Sequence, residues 1–245
     1  MFPITIENLV DNIRNKDCPN WIKKENALCL CQVVYDGMLE QMLDQPSLLN
    51  KTFKVASEVC AKFYIPGYNA NVNERDLDYI KKTTRKFKID IKFRPLNGSE
   101  DCVKDFIRSV VKYYKEHERP DVIISIASGG FEPALVLSKV LNTPHTTLRF
   151  SHHYRNDENV KLLPFQEMEL KEKIPNSNVL LIDDWIESGR TINKVTDFLN
   201  ESYAPRTITV GIVLNSYNTI FNPVMKFPFK IVRYEANFQD KFCRI

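Results

Sequence analysis

The sequence predicts an α/β fold in which a parallel sheet is flanked by helices and preceded by a mainly helical N-terminal extension. Four strand-like runs lie between residues 121 and 215, and the first of them is a continuous apolar run of the kind found in strands buried on both faces. Segments with helical spacing of apolar residues lie between these runs, and such alternation is typical of parallel sheets. The first 95 residues instead carry consecutive helical patterns.

The strands and helices of the α/β part are predicted in regular order. Asp121–Ala127, with the sequence DVIISIA, predicts the first strand because its apolar run is continuous. The further strands are predicted at His145–Phe150, Asn178–Asp184, Thr207–Asn215 and Lys230–Glu235, and the helices at Glu100–His117, Phe131–Leu141 and Thr191–Ser202. Ligands of such sheets bind beyond the carboxyl ends of the strands, so the loops that follow these strands are the candidate site.

Residues 1–95 form the predicted N-terminal extension, and residues 96–245 form the predicted α/β core. Lys86–Arg94 alternates apolar with mostly basic residues, which predicts a half-buried strand with a basic outer face. Helices are predicted before it at Asn26–Leu43, Leu48–Tyr64 and Asn73–Lys82. The extension is open to three interpretations: a hood over the ligand site, a dimerisation element or a region that binds a partner.

Composition and charge place the chain among ordinary globular proteins. Of its 245 residues, 43% are hydrophobic and 27% are charged, so a sizeable core is expected. The net charge of +3 suits small anionic substrates and does not by itself indicate nucleic acid. No apolar run is long enough to cross a bilayer, and Glu7 and Asp11 do not fit a signal peptide. The six scattered cysteines are expected to be reduced thiols, so we predict a cytoplasmic protein.

The most informative segment is Val179–Thr191, with the sequence VLLIDDWIESGRT. Its apolar run ends in two acids, Asp183 and Asp184, and a turn that contains Gly189 leads into the next helix. Backbone N–H groups at a helix start bind anions, and Gly189 lets the backbone approach a phosphate without a Cβ in the way. Two adjacent carboxylates above that turn can accept hydrogen bonds from two sugar hydroxyls. The segment therefore predicts a binding site for a ribose phosphate.

This segment resembles the motif with which type I phosphoribosyltransferases bind 5-phosphoribosyl-1-pyrophosphate (PRPP). That motif has four apolar residues, two acids, a short variable stretch and then Thr/Ser-Gly-x-Thr. The resemblance implies that Asp183 and Asp184 hold the ribose hydroxyls and form the catalytic pair. It also implies that the 5′-phosphate is bound by the residues that follow them, Glu187, Ser188, Gly189, Arg190 and Thr191. Arg190 occupies the variable position, where it either reinforces phosphate binding or points to solvent.

The loop after the first strand resembles the pyrophosphate loop of the same family. Its residues are Ala127, Ser128, Gly129 and Gly130. The backbone donors of such a loop suit pyrophosphate oxygens. Ser128 stands where many members of the family carry Arg or Lys, so one positive charge is missing, and pyrophosphate affinity and turnover are left open. The alternative interpretation is a plain turn from strand to helix.

The segment after the second strand corresponds to a flexible flap that closes over PRPP in the family. Its candidate contacts with pyrophosphate are Arg149, His153, Tyr154 and Arg155, and an ordinary solvated loop is the alternative.

Near the C-terminus, Phe227, Phe229 and Tyr234 are candidates for stacking on a base, with core packing as the alternative. Some purine enzymes of the family carry a Lys at the end of the fourth strand that contacts the base oxygen. This sequence has Asn215 and Ser216 there, so the resemblance does not support a 6-oxopurine acceptor.

The resemblance implies a magnesium-dependent enzyme that transfers the 5-phosphoribosyl group of PRPP to a nitrogenous acceptor, a nucleobase or a related compound, and releases pyrophosphate. Asp183 and Asp184 are the implied magnesium ligands, directly or through water. The implied partners are PRPP and a small-molecule acceptor, and we expect a homodimer with no membrane or nucleic-acid partner. Two alternatives stay open: a non-catalytic PRPP- or nucleotide-sensing regulator, with the basic segment Lys81–Arg94 contacting nucleic acid, and an enzyme with a non-nucleobase acceptor.

Overall fold

The computed structural model describes residues 5–41, 46–64, 73–85, 100–127, 129–151, 157–186, 189–215 and 231–233. The helices are α1 (Ile6–Arg14), α2 (Asn20–Gln41), α3 (Pro46–Tyr64), α4 (Glu74–Thr84), α5 (Glu100–Glu116), α6 (Phe131–Leu141), α7 (Pro164–Lys173) and α8 (Arg190–Tyr203). The strands are β1 (Val122–Ala127), β2 (His145–Arg149), β3 (Asn178–Ile186), β4 (Thr207–Asn215) and β5 (Ile231–Arg233). Within these ranges, none of the helices has the length and apolar character needed to cross a membrane.

The five strands form one parallel sheet in the order β2-β1-β3-β4-β5. Ile124 of β1 lies beside Thr146 of β2 and Leu181 of β3. The chain runs from β1 through α6 to β2 and then returns past β1 through α7 to β3. The strand order therefore reverses between β1 and β3, and open parallel sheets bind ligands at the carboxyl ends of the strands that flank such a point.

Helices cover both faces of the sheet. On one face, Phe106 of α5 and residues of α6 share a buried cluster with Ile123 of β1. On the other face, residues of α7 and Val195 of α8 share a buried cluster with Ile124. Successive residues of a strand point to opposite faces, so a sheet covered on both faces needs strands that are apolar at every position. This requirement explains the continuous apolar runs of the sequence.

The N-terminal helices α1–α4 form a third buried cluster, which continues into the α/β core. Val34 and Ile80 from these helices share it with Ala127 at the end of β1 and Phe131 at the start of α6. Helix α3 also contacts both α6 and α7. The N-terminal helices therefore pack directly on the core. The boundary predicted near residue 95 falls between 86 and 99, outside the described residues, and stays a prediction.

The N-terminal helices also cover the edge strand β2. The Tyr35 hydroxyl of α2 donates a hydrogen bond to the Thr147 carbonyl oxygen, at 2.9 Å. An exposed edge strand offers unpaired backbone groups to other chains, and covering it with a helix removes that hazard.

The structure confirms the predicted fold class, a parallel sheet flanked by helices with a helical N-terminal region. Helix α6 and strand β4 have the predicted bounds, whereas β3 extends two residues beyond the predicted end, so that both acids lie inside the strand. Helices α1 and α7 have no counterpart among the sequence predictions. The strand predicted at Lys86–Arg94 lies outside the described residues.

Candidate active site

The turn after β1 meets the acidic end of β3 at the carboxyl end of the sheet where the strand order reverses. This turn leads into α6, and β3 leads on to α8. Because β1 and β3 are hydrogen-bonded neighbours, with Ser125 beside Ile182, the acids near the end of β3 lie beside the turn that follows β1. The predicted pyrophosphate loop and the predicted ribose-phosphate motif are therefore brought to one place.

The glycines of the first turn allow a very close approach between this turn and β3. A Cβ atom on Gly129 would lie 1.9 Å from the carboxylate carbon of Asp184. A Cβ atom on Gly130 would lie 2.2 Å from the carbonyl oxygen of Ile182. Neither position has room for a side chain in this arrangement. The Asp184 carboxylate consequently lies against the backbone of the predicted pyrophosphate loop.

Asp183 and Asp184 are neighbours on β3 and differ in their surroundings. Asp183 is 7% exposed, and one of its carboxylate oxygens accepts a hydrogen bond from the Asp184 backbone N–H at 3.0 Å. Asp184 is partly exposed and faces Gly129. Successive strand residues ordinarily point to opposite faces, but a side-chain hydrogen bond joins the carboxyl groups of Asp183 and Asp184, so the two groups lie together at the strand end.

Burial acts on the ionisation of both acids. It raises the pKa of the Asp183 carboxyl well above its usual range, and the neighbouring Asp184 charge raises it further. Burial also raises the pKa of Asp184, although hydrogen bonds oppose this effect. Two adjacent carboxylates with raised pKa values at a ligand-binding edge are typical of a functional site, because such a pair gains from a cation or from hydroxyl donors.

The second turn has the backbone geometry of an anion site. Gly189 has a φ angle of 74°, in the left-handed region that favours glycine, and it is the N-cap of α8. The first N–H groups of a helix have no carbonyl partner within it, so the start of α8 presents donors to a bound anion. Thr191 lies half-buried in this first turn, and the Arg190 side chain is exposed. The phosphate-binding roles predicted for these residues stay predictions.

Arg149 lies at the last position of β2, inside the sheet and not in a loop. It is 4% exposed, and its guanidinium lies 3.3 Å from a carboxylate oxygen of Asp36 on α2. Its backbone also pairs with Lys161, through hydrogen bonds of 3.0 and 2.8 Å. Arg149 is predicted both within the second strand and among the flap contacts with pyrophosphate. The structure places it in β2 beside Ala127, its register partner on β1, and its role towards pyrophosphate stays a prediction.

Several predicted site residues lie outside the described part of the chain. They are Ser128 of the pyrophosphate loop, Glu187 and Ser188 of the phosphate loop, His153, Tyr154 and Arg155 of the flap, and the aromatic candidates Phe227, Phe229 and Tyr234. Their predicted roles stay predictions.

Trp185 and two residues of α2, Tyr35 and Asp36, also lie near this region, and no role for them is predicted from the sequence. Trp185 follows the two acids and is 38% exposed, an uncommon position for so large an apolar side chain. Tyr35 and Asp36 contact β2 from α2. The sequence could have indicated Trp185 through its place in the motif. Nothing in the local pattern around Tyr35 and Asp36 indicates a partner more than 100 residues away.

Comparison with known proteins supports the family suggested by these features. Residues 97–223 match the phosphoribosyl transferase domain. The chain is 25% identical over 118 residues to a hypoxanthine phosphoribosyltransferase of Buchnera aphidicola, a match that covers 46% of this chain and 64% of that protein. It is 25% identical over 171 residues to an adenine phosphoribosyltransferase of Mycoplasmopsis synoviae, covering 64% of this chain and 98% of that protein.

Solved structures are more distant. A hypothetical protein from Neisseria gonorrhoeae with bound ppGpp aligns with a TM-score of 0.43 and 19% identity, covering 58% of this chain and 82% of that one. A purine phosphoribosyltransferase from Pyrococcus horikoshii aligns with a TM-score of 0.35 and 23% identity, covering 46% and 72%. The domain match spans more than half of the 245 residues and contains both turns of the site. This chain belongs to the phosphoribosyl transferase domain family.

Proposed function

We propose that this chain transfers the 5-phosphoribosyl group of PRPP to a nitrogenous acceptor and releases pyrophosphate. The observation that supports this proposal most directly is the contact between the turn after β1 and Asp184 on β3. The Asp184 carboxylate lies against Gly129, so a ribose held by the acids would have its C1 pyrophosphate beside the β1–α6 loop. The family match and the purine phosphoribosyltransferases among the relatives agree with this reaction.

Each part of the site has a distinct role in this proposal. Asp183 and Asp184 accept hydrogen bonds from the ribose hydroxyls, and the turn from Gly189 to Thr191 binds the 5′-phosphate at the start of α8. The β1–α6 loop binds the pyrophosphate with the Gly129 N–H as a donor, because the Gly130 N–H already donates to the Ile126 carbonyl oxygen at 3.0 Å. The bond from C1 to the pyrophosphate oxygen breaks, the pyrophosphate leaves with the bonding electrons, and the acceptor nitrogen forms the new bond to C1. The protein acts by positioning the reactants and by stabilising the leaving group.

Magnesium fits the donor set of this site. Among the described residues there is no group of three or more His, Cys, Asp or Glu side chains that could hold a metal. Magnesium is commonly bound by one or two carboxylates together with substrate phosphates and water, and Asp183 and Asp184 match that requirement. Bound there with PRPP, it would neutralise charge on the departing pyrophosphate.

A screen of acceptors tests the proposal. The full chain is incubated with PRPP, magnesium and single candidate acceptors that include adenine, hypoxanthine, guanine, the pyrimidine bases and non-nucleobase amines. Pyrophosphate release is measured, and the products are identified by mass spectrometry. We expect one acceptor class to gain the mass of a phosphoribosyl group, and we expect no product with the Asp183→Asn/Asp184→Asn variant. PRPP binding without transfer to any acceptor would instead favour the regulator alternative.

A further inference from the structure

Both ends of the β1–α6 loop are buried in the cluster of the N-terminal helices. Ala127, the last residue of β1, is 7% exposed, and Phe131, the first residue of α6, is 2% exposed. Both belong to a cluster whose other members come mainly from α1–α4. Gly129 and Gly130 lie against β3, and the Gly130 N–H donates a hydrogen bond to the Ile126 carbonyl oxygen at 3.0 Å. What packs on Ala127 and Phe131 therefore acts on the loop from its two ends.

A chain of aromatic contacts connects the loop to the N-terminal helices. The Phe131 ring meets the Phe53 ring of α3 edge-on, with a centroid distance of 6.1 Å. The Phe53 ring meets the Tyr35 ring of α2 at 5.3 Å. The Tyr35 hydroxyl in turn donates to the Thr147 carbonyl oxygen on β2. Phe53 thus lies at the centre of a buried path between the start of α6 and the edge strand.

An ion pair fixes the same helices against the strand ends. Asp36 of α2 and Arg149 of β2 lie 3.3 Å apart, with side-chain exposures of 17% and 5%. Arg149 is the register partner of Ala127. A buried ion pair is stable only when its geometry is well defined, so the pair restrains α2 relative to the end of β1.

The other half of the site has a different anchor. Ile192 and Val195 of α8 belong to the cluster on the opposite face of the sheet, together with residues of α7 and β3. None of the described members of that cluster comes from α1–α4. Among the described residues, the cluster that holds the start of α8 therefore reaches the N-terminal helices indirectly, through the contact between α7 and α3.

We infer that α2 and α3 position the β1–α6 loop for pyrophosphate, with Phe53 as the positioning residue, while the start of α8, which would bind the 5′-phosphate, is positioned by the cluster on the opposite face of the sheet. This inference rests on the proposed function. A displacement of about 1 Å in preorganised donors is enough to weaken binding strongly. Loss of the Phe53 ring leaves a void beside Phe131, into which the start of α6 can relax.

The test compares two ligands on the full chain. Pyrophosphate and ribose 5-phosphate are titrated separately, with magnesium, into the wild type and the Phe53→Ala variant at a temperature where both are folded. We expect the affinity for pyrophosphate to fall about tenfold, and that for ribose 5-phosphate to change by less than about twofold. Phe53→Leu, which keeps most of the apolar volume, is expected to restore pyrophosphate binding to within about threefold of the wild type.

Leu77→Ala is the matched control. Leu77 lies on α4 in the same cluster and is 1% exposed, so its truncation creates a comparable void. Leu77 is aliphatic and takes no part in the ring contact between Phe53 and Phe131. We therefore expect the affinities for pyrophosphate and for ribose 5-phosphate to stay within about twofold of the wild type. If Phe53→Ala does not fold, Phe53→Val replaces it, with a loss of about threefold for pyrophosphate as the expected result.

The outcomes separate this inference from the proposed function. Unchanged pyrophosphate affinity in the folded Phe53 variant, equal losses for both ligands, or the same loss in Leu77→Ala overturns the positioning role. In each of these cases the wild type still binds both ligands, so the proposed function stands. A wild type that binds neither pyrophosphate nor ribose 5-phosphate contradicts the proposed function, and the inference with it.

Discussion

Gly129 and Gly130 exclude a side chain for different reasons. The nearest atoms to a Cβ on Gly129 belong to the Asp184 side chain, which can rotate. The nearest atom to a Cβ on Gly130 is the Ile182 carbonyl oxygen, which is part of the β3 backbone. A clash with a side chain displaces that side chain, whereas a clash with a strand backbone must move the strand.

Gly130→Ala is expected to lower the free energy of unfolding by about 1–3 kcal/mol, because β1 and β3 must separate. Gly129→Ala is expected to destabilise the protein less, but to weaken PRPP binding because it displaces the Asp184 carboxylate. Urea unfolding and PRPP titration of both variants check this pair. The opposite order, with Gly129→Ala the less stable protein, would show that the Asp184 side chain cannot move aside.

Thr191→Ala tests the phosphate contact at the start of α8. Loss of a hydroxyl donor to a charged phosphate is expected to weaken PRPP binding by about 1–3 kcal/mol, roughly 5- to 150-fold. Thr196→Ala in the same helix is the control, because the Thr196 hydroxyl donates to the Ile192 carbonyl oxygen inside the helix. Calorimetric titration measures both variants. If Thr191→Ala and Thr196→Ala bind PRPP with equal affinity, the Thr191 hydroxyl does not contact the phosphate.

Among the helices and strands, those whose start, end and apolar spacing are marked by their own residues could be predicted from the sequence. Strand β4 and helix α6 have the predicted bounds, because the spacing of apolar residues and the turn-forming glycines indicate where such elements begin and end. Helix α7 escapes prediction because Leu163 at its N-cap has no side-chain acceptor. The cap is supplied by Gln166, whose side-chain oxygen accepts from the Leu163 backbone N–H at 2.9 Å. Pro164 at the first helical position and Gln166 are start signals that the sequence contains, but without a polar residue at the N-cap they do not stand out.

The packing of α2 on the edge strand β2 also escapes prediction. Tyr35 and Thr147 are 112 positions apart, and no period in the sequence relates them. The motif residues, in contrast, are contiguous in sequence, so their strand-turn-helix context could be predicted. What brings that motif to the glycine turn is the sheet order, which results from pairing between β1 and β3.

Tyr35→Phe tests the attachment of α2 to β2. It removes the hydrogen bond to the Thr147 carbonyl oxygen in a buried site, so we expect a loss of about 1–2 kcal/mol in the free energy of unfolding. Tyr79→Phe is the control, because the Tyr79 hydroxyl is buried without a hydrogen-bond partner among the described residues. Chemical denaturation followed by circular dichroism measures both. A Tyr35→Phe variant as stable as Tyr79→Phe would show that this bond does not stabilise the attachment.

At the scale of the whole molecule, Asp183 and Asp184 lower the free energy of unfolding when no ligand is bound. Burial raises the pKa values of both Asp183 and Asp184, so the folded state binds protons more tightly than the unfolded state. Stability therefore falls as pH rises from the usual aspartate range through the raised pKa values, and the cost is fully present above them. Such a cost is expected where a site is shaped for binding.

The Asp183→Asn/Asp184→Asn variant is expected to have a higher melting temperature than the wild type at neutral pH. This advantage is expected to shrink as the pH is lowered towards 4, where wild-type carboxyls become protonated in both states. Thermal unfolding across this pH range, without ligand, measures the difference. A variant less stable than the wild type at neutral pH would show that the carboxylates stabilise the fold.

Direct titration of PRPP with magnesium tests the ribose-binding role of the two acids. The wild type and the Asp183→Asn/Asp184→Asn variant are compared by calorimetry, and fluorescence of Trp185 in a Trp21→Phe background reports binding beside the acids independently. We predict that the wild type binds with a change in Trp185 emission, and that the variant, although folded, loses at least about 100-fold in affinity. Equal affinity of the two folded proteins for PRPP would contradict the assignment of the ribose to these carboxylates.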